Sequence, residues 1–363
     1  MKARIVCLPG DGIGPEVVQE ARRVLEVIAA EHNHEFEFVE ADIGAIAMER
    51  HGEPFPKITQ DLCQTANAVF LGAVGDPKYD HLPPAKKPER GLLDLRTLLG
   101  NYANLRPVAV SEALVDCSPL RKDMVRGVDL LIVRELIGGI YFGSPRGLEN
   151  EQAFNTEIYS REEVRRVARI AFKLARYRHR KVTSVDKANV LESSVLWREA
   201  SSEIAKQFPD VAFSSMYVDN CAMQLIAKPQ QFDVILTNNI FGDILSDEAS
   251  MLAGSLGLLP SASIGGKIGL YEPVHGSAPD IAGKGIANPL GAISSAAMLL
   301  EHSLELTREA TKLERAILKV LSRGYRTSDL KSRTGREKTK ERVVSTKEMG
   351  ELVCDYIRMP DAT

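Results

Sequence analysis

The feature that most restricts the fold of this chain is an alternation of short strand-forming runs with segments of helical period. Seven runs rich in β-branched and aromatic residues are predicted as strands, namely ARIVCL, FEFVEA, NAVFLGA, DLLIVRE, KVTSVD, VAFSSMYVD and DVILTN. Apolar residues recur at helical spacing in residues 15–30, 161–178, 191–207, 240–255 and 290–304. A chain that alternates in this way forms a sheet with helices packed on its faces. The sequence therefore predicts an α/β fold.

Length and composition limit the class of protein further. The 363 residues favour about two domains, and 44% hydrophobic with 26% charged residues is ordinary for a globular protein. A net charge of −3 gives no electrostatic reason to expect nucleic acid or an anionic membrane as a partner. The charged run SRTGREKTKERVV (332–344) is interpreted as an exposed loop without function.

The beginning of the chain and its cysteines indicate a cytoplasmic protein. The first apolar strand ends at Pro9 and Gly10, too early for the core of a signal peptide. No apolar run approaches the roughly 18 residues that cross a membrane. The five cysteines are scattered, odd in number and free of any C-x-x-C spacing. This pattern predicts reduced thiols rather than disulfides or a zinc site.

The glycine-rich run LPGDGIGPEV (8–17) follows a predicted strand and opens a predicted helix. Its spacing is G-x-G-x-G-P, which differs from the G-x-G-x-x-G of dinucleotide-binding Rossmann folds. Pro15 suits the first position of a helix, where a missing N–H costs nothing. We interpret the run as a tight turn that feeds a helix, and its location beside a cofactor cleft remains an open alternative.

Three acidic residues form a candidate metal site. Asp243 and Asp247, in NIFGDILSDEAS, are four residues apart on a predicted helix and therefore share one face. Asp219 ends the predicted strand VAFSSMYVD. Carboxylates without a nearby His or Cys favour a hard cation such as Mg²⁺ or Mn²⁺. The alternative is that Asp243 and Asp247 form a solvated helix face.

Basic and phenolic residues supply candidate substrate contacts and proton carriers. Arg96, Arg106 and Arg134 each lie in apolar surroundings, and guanidinium groups bind carboxylates through two donors. As a group they suit a di- or tricarboxylate substrate, although each alone also fits a buried ion pair. Lys187 follows a predicted strand and is a candidate proton acceptor. Tyr141 is either a phenol acid or a packed aromatic residue.

Six motifs, in collinear order over essentially the whole chain, resemble the β-decarboxylating dehydrogenases. They are GDGIGPEV, NLRP, VRELIGGIYFG, SVDKANVL, NIFGDILSDEAS and HGSAPDIAGKGIANP. Members of this family oxidise isocitrate, homoisocitrate, tartrate or 3-isopropylmalate. The resemblance implies a two-lobed isocitrate/isopropylmalate dehydrogenase-like fold that is not Rossmann. One domain would comprise 1–101 plus 254–363, and the second 102–253, with an arm around 135–159 that pairs with a partner subunit.

The resemblance also implies roles for the candidate residues. Asp219, Asp243 and Asp247 match the metal ligands, with Asp219 also at the substrate and expected from the other subunit of a homodimer. Arg96, Arg106 and Arg134 match the carboxylate clamps. Lys187 matches the base that takes the proton of the C2 hydroxyl group, also across the dimer interface. Hydride then passes to NAD, CO₂ is lost, and Tyr141 matches the acid that protonates the product.

Two loops, 76–89 and 276–288, match the cofactor-binding segments of the family. The expected contacts are Asp76, Glu89, Asn189, His275, Gly276, Ser277, Ala278, Pro279, Asp280, Ile281, Ala282, Gly283, Lys284, Gly285, Ile286, Ala287 and Asn288. NADP-using relatives carry Lys and Tyr where this chain has Asp280 and Ile281. A carboxylate there can accept hydrogen bonds from ribose hydroxyls and repels a 2′-phosphate, so we expect NAD.

The run PERGLLDLR matches the segment that contacts the substituent on substrate C3. Glu89, Leu92 and Leu93 occupy the matching positions, and the two leucines offer an apolar wall. An isopropyl group suits such a wall, whereas a third carboxylate would be buried without a partner. We therefore expect 3-isopropylmalate, the substrate of the oxidative step of leucine synthesis. Tartrate or malate, homoisocitrate and isocitrate remain alternatives, and the leucines could instead pack within their own domain.

Two other classes of protein share parts of this pattern. A prenyl or phosphoryl transferase also uses D-x-x-x-D with basic residues, but prenyl synthases are all-helical and no Walker-type loop occurs in the sequence. A catalytically silent binding protein of the same fold would be expected to lack Lys187 or Tyr141, and both are present. The sequence therefore favours an enzyme.

Overall fold

The computed structural model describes residues 1–332 and 341–360, and these contain fourteen strands and twelve α-helices. The strands are β1 Lys2–Gly10, β2 Glu35–Glu40, β3 Ala68–Ala73, β4 Ala103–Ala109, β5 Asp129–Glu135, β6 Gly147–Glu149, β7 Gln152–Phe154, β8 Lys181–Asp186, β9 Ala212–Tyr217, β10 Val234–Thr237, β11 Pro260–Ile264, β12 Gly269–Pro273, β13 Tyr325–Arg326 and β14 Arg342–Val343. The helices are α1 Gly14–His32, α2 Ala45–His51, α3 Lys57–Gln64, α4 Glu89–Leu99, α5 Lys122–Val125, α6 Arg161–Arg176, α7 Glu192–Ala205, α8 Val218–Ala227, α9 Asn239–Ala253, α10 Leu290–His302, α11 Thr307–Ser322 and α12 Thr346–Arg358. The sequence predicts an exposed loop for the charged run 332–344, of which residues 333–340 lie outside the described residues. Within the described part, Arg342 and Val343 are exposed as predicted but form the short strand β14 rather than a loop, because they pair with β13.

Ten of these strands form one sheet in the order β2-β1-β3-β12-β11-β4-β5-β10-β8-β9. Its two ends are parallel, but β11 is antiparallel to both β12 and β4, and β4 is antiparallel to β5. A Rossmann sheet has the order 3-2-1-4-5-6 and is mostly parallel. The predicted α/β class is confirmed, and the arrangement is not Rossmann.

The predicted domain boundaries fall beside the centre of this sheet. Residue 101 lies two positions before the start of β4, and residue 254 is the glycine that ends α9 in a left-handed conformation. The ladder between β4 and β11 joins strands from the two predicted domains. The division into 1–101 plus 254–363 and 102–253 stays a prediction.

The predicted strands and helices are all present, but the central strands β4, β11 and β12 are missing from the sequence prediction. Their sequences, ANLRPVA, PSASI and GLYEP, contain polar residues and proline, which hide an apolar strand pattern. Such strands can lie in the middle of the sheet because their buried polar side chains pair with each other. Asn104 Nδ2 on β4, for example, donates to Ser263 Oγ on β11 at 3.0 Å.

One local prediction is wrong and affects the candidate metal site. The sequence places Asp219 at the end of a strand, whereas β9 ends at Tyr217 and Asp219 lies in the first turn of α8. An acidic side chain is stabilised in that position because a helix N-terminus carries a partial positive charge. Asp219 therefore extends from a helix rather than from a sheet edge.

Helix α9 carries the two remaining candidate metal ligands, and its start is fixed by a side-chain cap. Asn238 Oδ1 accepts a hydrogen bond from the N–H of Phe241 at 2.9 Å. Such caps contribute about 1 kcal/mol. The buried face of α9 includes Leu245, Ala249 and Leu252, which pack in a core with β5 and β10. This packing directs the opposite face of α9 toward the end of β5, where the candidate site lies.

The described residues contain no helix that is both long and apolar enough to span a lipid bilayer.

Candidate active site

A cleft lies where the central strands, α4, α9 and the segment after β12 meet. Its lining comprises Gly72, Ala73, Val74, Glu89, Leu92, Leu93, Arg96, Arg106, Arg134, Tyr141, Arg146, Asp243, Ser261, Glu272, Pro273, Val274, His275 and Gly276. The cleft thus brings together all three predicted arginine clamps, the predicted acid, one predicted metal ligand and the predicted apolar wall.

The three arginines are carried by three different elements: Arg96 by α4, Arg106 by β4 and Arg134 by β5. Their exposed fractions are 7%, 6% and 2%. Burying a guanidinium group is costly unless anions and hydrogen bonds compensate. The partners of these arginines therefore define the charge of the site.

Arg96 is paired with an acid that the sequence analysis did not single out. Its Nη2 donates to Glu272 Oε1 at 2.8 Å, while its buried Nε has no hydrogen-bond partner among the described residues. A buried donor without a partner is unusual in proteins. Arg96 therefore lines the cleft with a guanidinium group whose donors are only partly satisfied.

Arg106 is bound by residues of both β4 and α9. Its Nε donates to Asn104 Oδ1 at 2.8 Å and its Nη1 to Ser246 Oγ at 2.6 Å. Its guanidinium group also lies 3.5 Å from Asp243 and 3.4 Å from Asp247. Burial lowers the pKa of Arg106, and the charge of Asp243 acts in the opposite direction. The hydrogen bonds leave Arg106 in a fixed orientation toward the two acids of α9.

Arg134 contacts Asn239 and Asp243 on α9. Its Nε and Nη2 donate to Asn239 Oδ1 at 3.1 and 2.7 Å, and its Nη1 donates to Asp243 Oδ1. Burial, followed by the neighbouring charge of Arg106, lowers the pKa of Arg134 to about 10, so the side chain stays charged at neutral pH.

Tyr141 and Asp243 form a second contact at the same place. The phenol of Tyr141 donates to Asp243 Oδ2 at 3.0 Å, and the Arg134 guanidinium lies 5.8 Å from the ring centroid. Burial and then the charge of Asp243 raise the pKa of Tyr141. For Asp243 itself, burial is the largest single influence and acts upward, but the positive charges of Arg134 and Arg106 and other contacts outweigh it and lower its pKa. Tyr141 therefore carries a proton beside an ionised carboxylate.

The predicted metal ligands are only partly assembled within one chain. Asp243 and Asp247 are one turn apart on α9 and both approach Arg106. Burial raises the pKa of Asp247, and Arg106 opposes this effect. In residues 1–332 and 341–360 no group of three His, Cys, Asp or Glu side chains is arranged to hold a metal ion.

Lys187, Asn189 and Asp219 lie outside the cleft lining of their own chain. Lys187 Nζ and Asp219 Oδ1 are 2.6 Å apart, and Asn189 is exposed in the turn that follows Lys187. The Lys187 hydrogen bond lowers the pKa of Asp219. Lys187 and Asp219 thus form a separate ion pair beyond the ends of β8 and β9, and Asn189 lies near Lys187 in the chain.

Three of the predicted cofactor residues line the cleft: Glu89, His275 and Gly276. His275 Nδ1 lies 2.9 Å from the carbonyl oxygen of Gly276, and its buried Nε2 has no hydrogen-bond partner among the described residues. Burial lowers the pKa of His275, so the ring is neutral at neutral pH. His275 thus brings an unsatisfied polar atom to the lining of the cleft.

The remaining predicted cofactor residues are distributed over the two loops. Asp76 Oδ1 accepts the N–H of Lys78 at 2.9 Å and caps a short turn. Ser277, Ala278, Pro279, Asp280, Ile281, Ala282, Gly283, Lys284, Gly285 and Ile286 follow Gly276 along the loop before α10. Ala287 and Asn288 are buried: the Ala287 carbonyl accepts from Thr346 at 2.6 Å, and Asn288 Oδ1 accepts from the N–H of Leu290 at 3.0 Å. Ala287 and Asn288 thus form hydrogen bonds with α12 and α10, respectively.

Sequence reasoning missed four polar residues of the site: Asn104, Arg146, Asn239 and Glu272. Arg146 lines the cleft and donates to the carbonyl oxygen of Tyr141 at 2.6 Å. Glu272 is an acid within the short run GLYEP, and this is a signal that the sequence does contain. Asn104 and Asn239 lie within the quoted motifs but act on neighbouring arginines, which only the fold reveals.

Comparison with known proteins identifies the family. The family model described as isocitrate/isopropylmalate dehydrogenase matches residues 4–353. The chain is 54% identical to a 3-isopropylmalate dehydrogenase of Wolinella succinogenes over 98% of each chain. It is 56% identical to that of Thermotoga maritima over 97% of this chain and 98% of the relative.

Solved structures agree with the sequence relatives. The isocitrate dehydrogenase of Methylococcus capsulatus superposes with a TM-score of 0.86 at 36% identity, over 98% of this chain and 100% of that one. A β-decarboxylating dehydrogenase of Thermococcus kodakarensis has a TM-score of 0.78 at 34% identity, over 98% of this chain and 96% of that one. The expected fold is thereby confirmed, and the chain belongs to the isocitrate/isopropylmalate dehydrogenase family.

Proposed function

We propose that this enzyme catalyses the NAD-dependent oxidative decarboxylation of (2R,3S)-3-isopropylmalate to 4-methyl-2-oxopentanoate and CO₂, the oxidative step of leucine synthesis. The observation that carries the proposal is a cleft that combines buried arginines with an apolar wall. Arg96, Arg106 and Arg134 line it together with Leu92 and Leu93 of α4. A dicarboxylate that carries a branched alkyl substituent matches this lining.

The apolar wall formed by Leu92 and Leu93 favours binding of 3-isopropylmalate over other 2-hydroxy acids. An isopropyl group buries roughly three carbons and gains about 2 kcal/mol at about 0.8 kcal/mol per carbon. Isocitrate would instead place a third carboxylate near Leu92 and Leu93, with Glu89 in the same lining. Burying an unpaired charge costs several kcal/mol. The same comparison disfavours homoisocitrate, while tartrate and malate would leave the wall uncovered.

The charges of the cleft support a role for a divalent cation. Arg96, Arg106, Arg134 and Arg146 line the cleft with four positive charges. Glu89, Glu272 and Asp243 of the lining, together with Asp247 beside Arg106, bring four negative charges. A dianionic substrate therefore needs additional positive charge. The carboxylate oxygens of Asp243 and Asp247 suit Mg²⁺ or Mn²⁺. When bound, such an ion would act as a Lewis acid that polarises the substrate oxygen and stabilises negative charge as CO₂ leaves.

A homodimer would complete the site. Lys187 and Asp219 are outside the cleft of their own chain, and large apolar side chains are exposed on the two adjacent helices α8 and α9. They are Met223 (60% exposed), Ile226 (47%), Ile244 (60%) and Met251 (41%). An apolar surface beside a site marks an association surface. We propose that a second copy covers it and supplies the partner's Lys187 and the partner's Asp219 to the cleft.

The residues then have separate tasks. Arg96, Arg106 and Arg134 hold the carboxylates, so the C2 hydroxyl group is presented in one orientation. The partner's Lys187 accepts the hydroxyl proton as hydride leaves C2, and Tyr141 donates its phenol proton at C3 after CO₂ departs. The Tyr141 oxygen is oriented by its hydrogen bond to Asp243, which supports this assignment.

NAD is the proposed hydride acceptor. The unpartnered, buried Nε2 of His275 and the adjacent Gly276 provide polar groups at the cleft edge that fit an amide or ribose group. Asp280 is exposed in the same loop and can accept from ribose hydroxyls while repelling a 2′-phosphate. A cytoplasmic location agrees with the five buried, free cysteines.

An absorbance assay at about 340 nm, where reduced nicotinamide absorbs, tests the proposal. The panel comprises 3-isopropylmalate, isocitrate, homoisocitrate, tartrate and malate, each with NAD and NADP in the presence of Mg²⁺ or Mn²⁺. We expect efficient turnover of 3-isopropylmalate with NAD and CO₂ release in equal amount. A higher kcat/KM for any other acid would show that the wall formed by Leu92 and Leu93 does not select the substrate.

A further inference from the structure

The glycine-rich run 8–17, interpreted from the sequence as a tight turn, makes contacts that a turn does not require. Gly10 and Gly12 have φ angles of +68° and +59°. A Cβ atom on Gly10 would lie 2.0 Å from the carbonyl oxygen of Ala73, and one on Gly12 would lie 2.0 Å from that of Ser277. The run is therefore packed directly between the end of β3 and the loop that carries the predicted cofactor contacts.

Main-chain hydrogen bonds fix both sides of this packing. The N–H of Asp11 donates to the carbonyl oxygen of Ala73 at 2.8 Å, and the N–H of Ile13 donates to that of Ser277 at 2.8 Å. The Glu16 carboxylate, in the first turn of α1, accepts the N–H of Gly283. The start of α1 is thus bonded to the 276–288 loop at two points.

The side chain of Asp11 adds a third connection. It is 6% exposed, and its Oδ2 accepts the N–H groups of Gly75 at 2.8 Å and Ala45 at 2.9 Å. Its Oδ1 accepts the N–H of Ile46 at 2.9 Å. Gly44, which precedes α2, has no side chain to cap that helix. One buried carboxylate therefore caps α2 and holds the start of the 76–89 loop.

Gly75 lies between the two predicted cofactor loops. A Cβ atom on Gly75 would lie 2.9 Å from Glu89 Oε1 and 3.9 Å from Ser277 Oγ. The amide of Gly75 is bonded to Asp11, and Ser277 is bonded to Ile13, two residues farther along the same run. The distance between the two loops is thus set by residues 11–13.

We propose that Asp11 is a positioning residue that holds the 76–89 and 276–288 loops at the separation needed to contact one molecule of NAD. The inference rests on the proposed function, because it assigns NAD to these loops. Asp11 does not line the cleft, so it acts through the backbone amides that it accepts. A purely structural role would change stability without a specific effect on NAD affinity.

Asp11→Asn tests the proposal because Asn has a single accepting oxygen, and its NH₂ group cannot accept any of the three N–H groups that Asp11 binds through two oxygens. We expect the Kd for NAD, measured by calorimetry on the full-length enzyme, to rise by at least about tenfold. The kcat at saturating NAD should stay within about threefold, because the arginines and Tyr141 are untouched. Asp42→Asn is the matched control: the Asp42 carboxylate contacts Arg50 and His51 of α2 at 2.9 and 2.8 Å, and its loss should leave the Kd for NAD unchanged.

Hydrogen exchange of the wild-type enzyme provides a second test if Asp11→Asn does not fold. NAD should increase protection at the amides of Ala45 and Ile46, which share the Asp11 carboxylate with Gly75. Protection of the two loops without any change at Ala45 and Ile46 would overturn the inference, as would equal NAD affinity of Asp11→Asn and wild type. Failure of the wild type to bind NAD would instead overturn the proposed function together with the inference.

Discussion

The side-chain amide of Asn239 binds Arg134 on the side of the guanidinium group that faces away from Asp243. Asn239 Oδ1 accepts from Nε and Nη2 of Arg134, and its Nδ2 donates to the carbonyl oxygens of Leu136 and Gly138 at 3.0 and 3.1 Å. Both donors and both acceptor positions of this buried amide are therefore satisfied by hydrogen bonds. The arginine is oriented by α9 before any substrate arrives.

Asn239→Ala should weaken substrate binding. Two donors of Arg134 would lose their acceptor, and hydrogen bonds to charged groups contribute about 1.5–3 kcal/mol each. We expect KM for 3-isopropylmalate to rise by about tenfold to a hundredfold while the Kd for NAD stays constant. Asn238→Ala is the control, because it removes the α9 cap, at a cost of about 1 kcal/mol, without touching Arg134. Equal KM values for both variants would show that Asn239 acts on stability alone.

Loss of the apolar wall should reduce substrate preference. Leu92→Ser combined with Leu93→Ala removes much of the surface proposed to bury the isopropyl group. Because burial of the isopropyl group contributes about 2 kcal/mol, kcat/KM for 3-isopropylmalate should fall by about thirtyfold. The kcat/KM for malate, which lacks that group, should change little. Leu98→Ala is a control on the same helix, since Leu98 packs against the same core of β1 and β3 residues as Leu92 but does not line the cleft. A parallel decrease for both substrates would contradict the assignment.

Replacement of either aspartate on α9 should weaken binding of the divalent cation. We expect Asp243→Asn and Asp247→Asn each to weaken Mn²⁺ binding, followed by electron paramagnetic resonance, by at least about a hundredfold, or about 2.8 kcal/mol. Turnover should be lost in parallel. Asp247→Asn is the cleaner test because Asp247 is more exposed than Asp243, whose carboxylate also binds Arg134 and Tyr141. Glu248→Gln changes the adjacent acid and should leave Mn²⁺ affinity intact.

Cofactor choice should depend on the loop before α10. The wild type should prefer NAD over NADP by more than about tenfold in kcat/KM, equivalent to about 1.4 kcal/mol. Asp280→Lys with Ile281→Tyr replaces the repelling carboxylate by a cation and should reverse or abolish that preference. Lys267→Gln, at an exposed lysine outside both cofactor loops, serves as the control and should leave the preference unchanged. Equal use of both cofactors by the wild type would refute the role of Asp280.

Glu135 should make stability depend on pH. Burial raises its pKa from 4.5 to about 7, against the hydrogen bonds from the N–H groups of Gly138 and Ile137. A raised pKa in the folded state contributes stability that is fully present below about 4.5 and is lost as the pH rises through about 7, at about 1.4 kcal/mol per pKa unit. The stability advantage of wild type over Glu135→Gln, measured by urea unfolding, should therefore shrink between these pH values. Glu162→Gln, at an exposed position in the first turn of α6, is the matched control.

The parts of the site that could be read from the sequence are those whose chemistry is local. Arg106 and Arg134 lie in short motifs between apolar residues, and the spacing of Asp243 and Asp247 fixes their shared helix face. The strands β4 and β11 could not be read, because Asn104 and Ser263 satisfy each other only after the strands pair. Asp219 was misplaced because the run VAFSSMYVD continues its strand-like pattern into the first turn of α8. The pairing of Arg96 with Glu272 joins residues 176 positions apart and leaves no local trace.

The insertion of β11 and β12 between β3 and β4 has a consequence for how the enzyme is made. Ribosomes release the N-terminal part of a chain first, and non-local strand pairs form late. Residues 260–273 must be synthesised before the middle of the sheet can close, which is after about three quarters of the 363 residues. Until then β3 and β4 each keep an unpaired edge and Arg96 lacks Glu272. The nascent enzyme is thus exposed to edge-to-edge aggregation while residues 110–273 are being synthesised, and its substrate cleft is among the last parts to form.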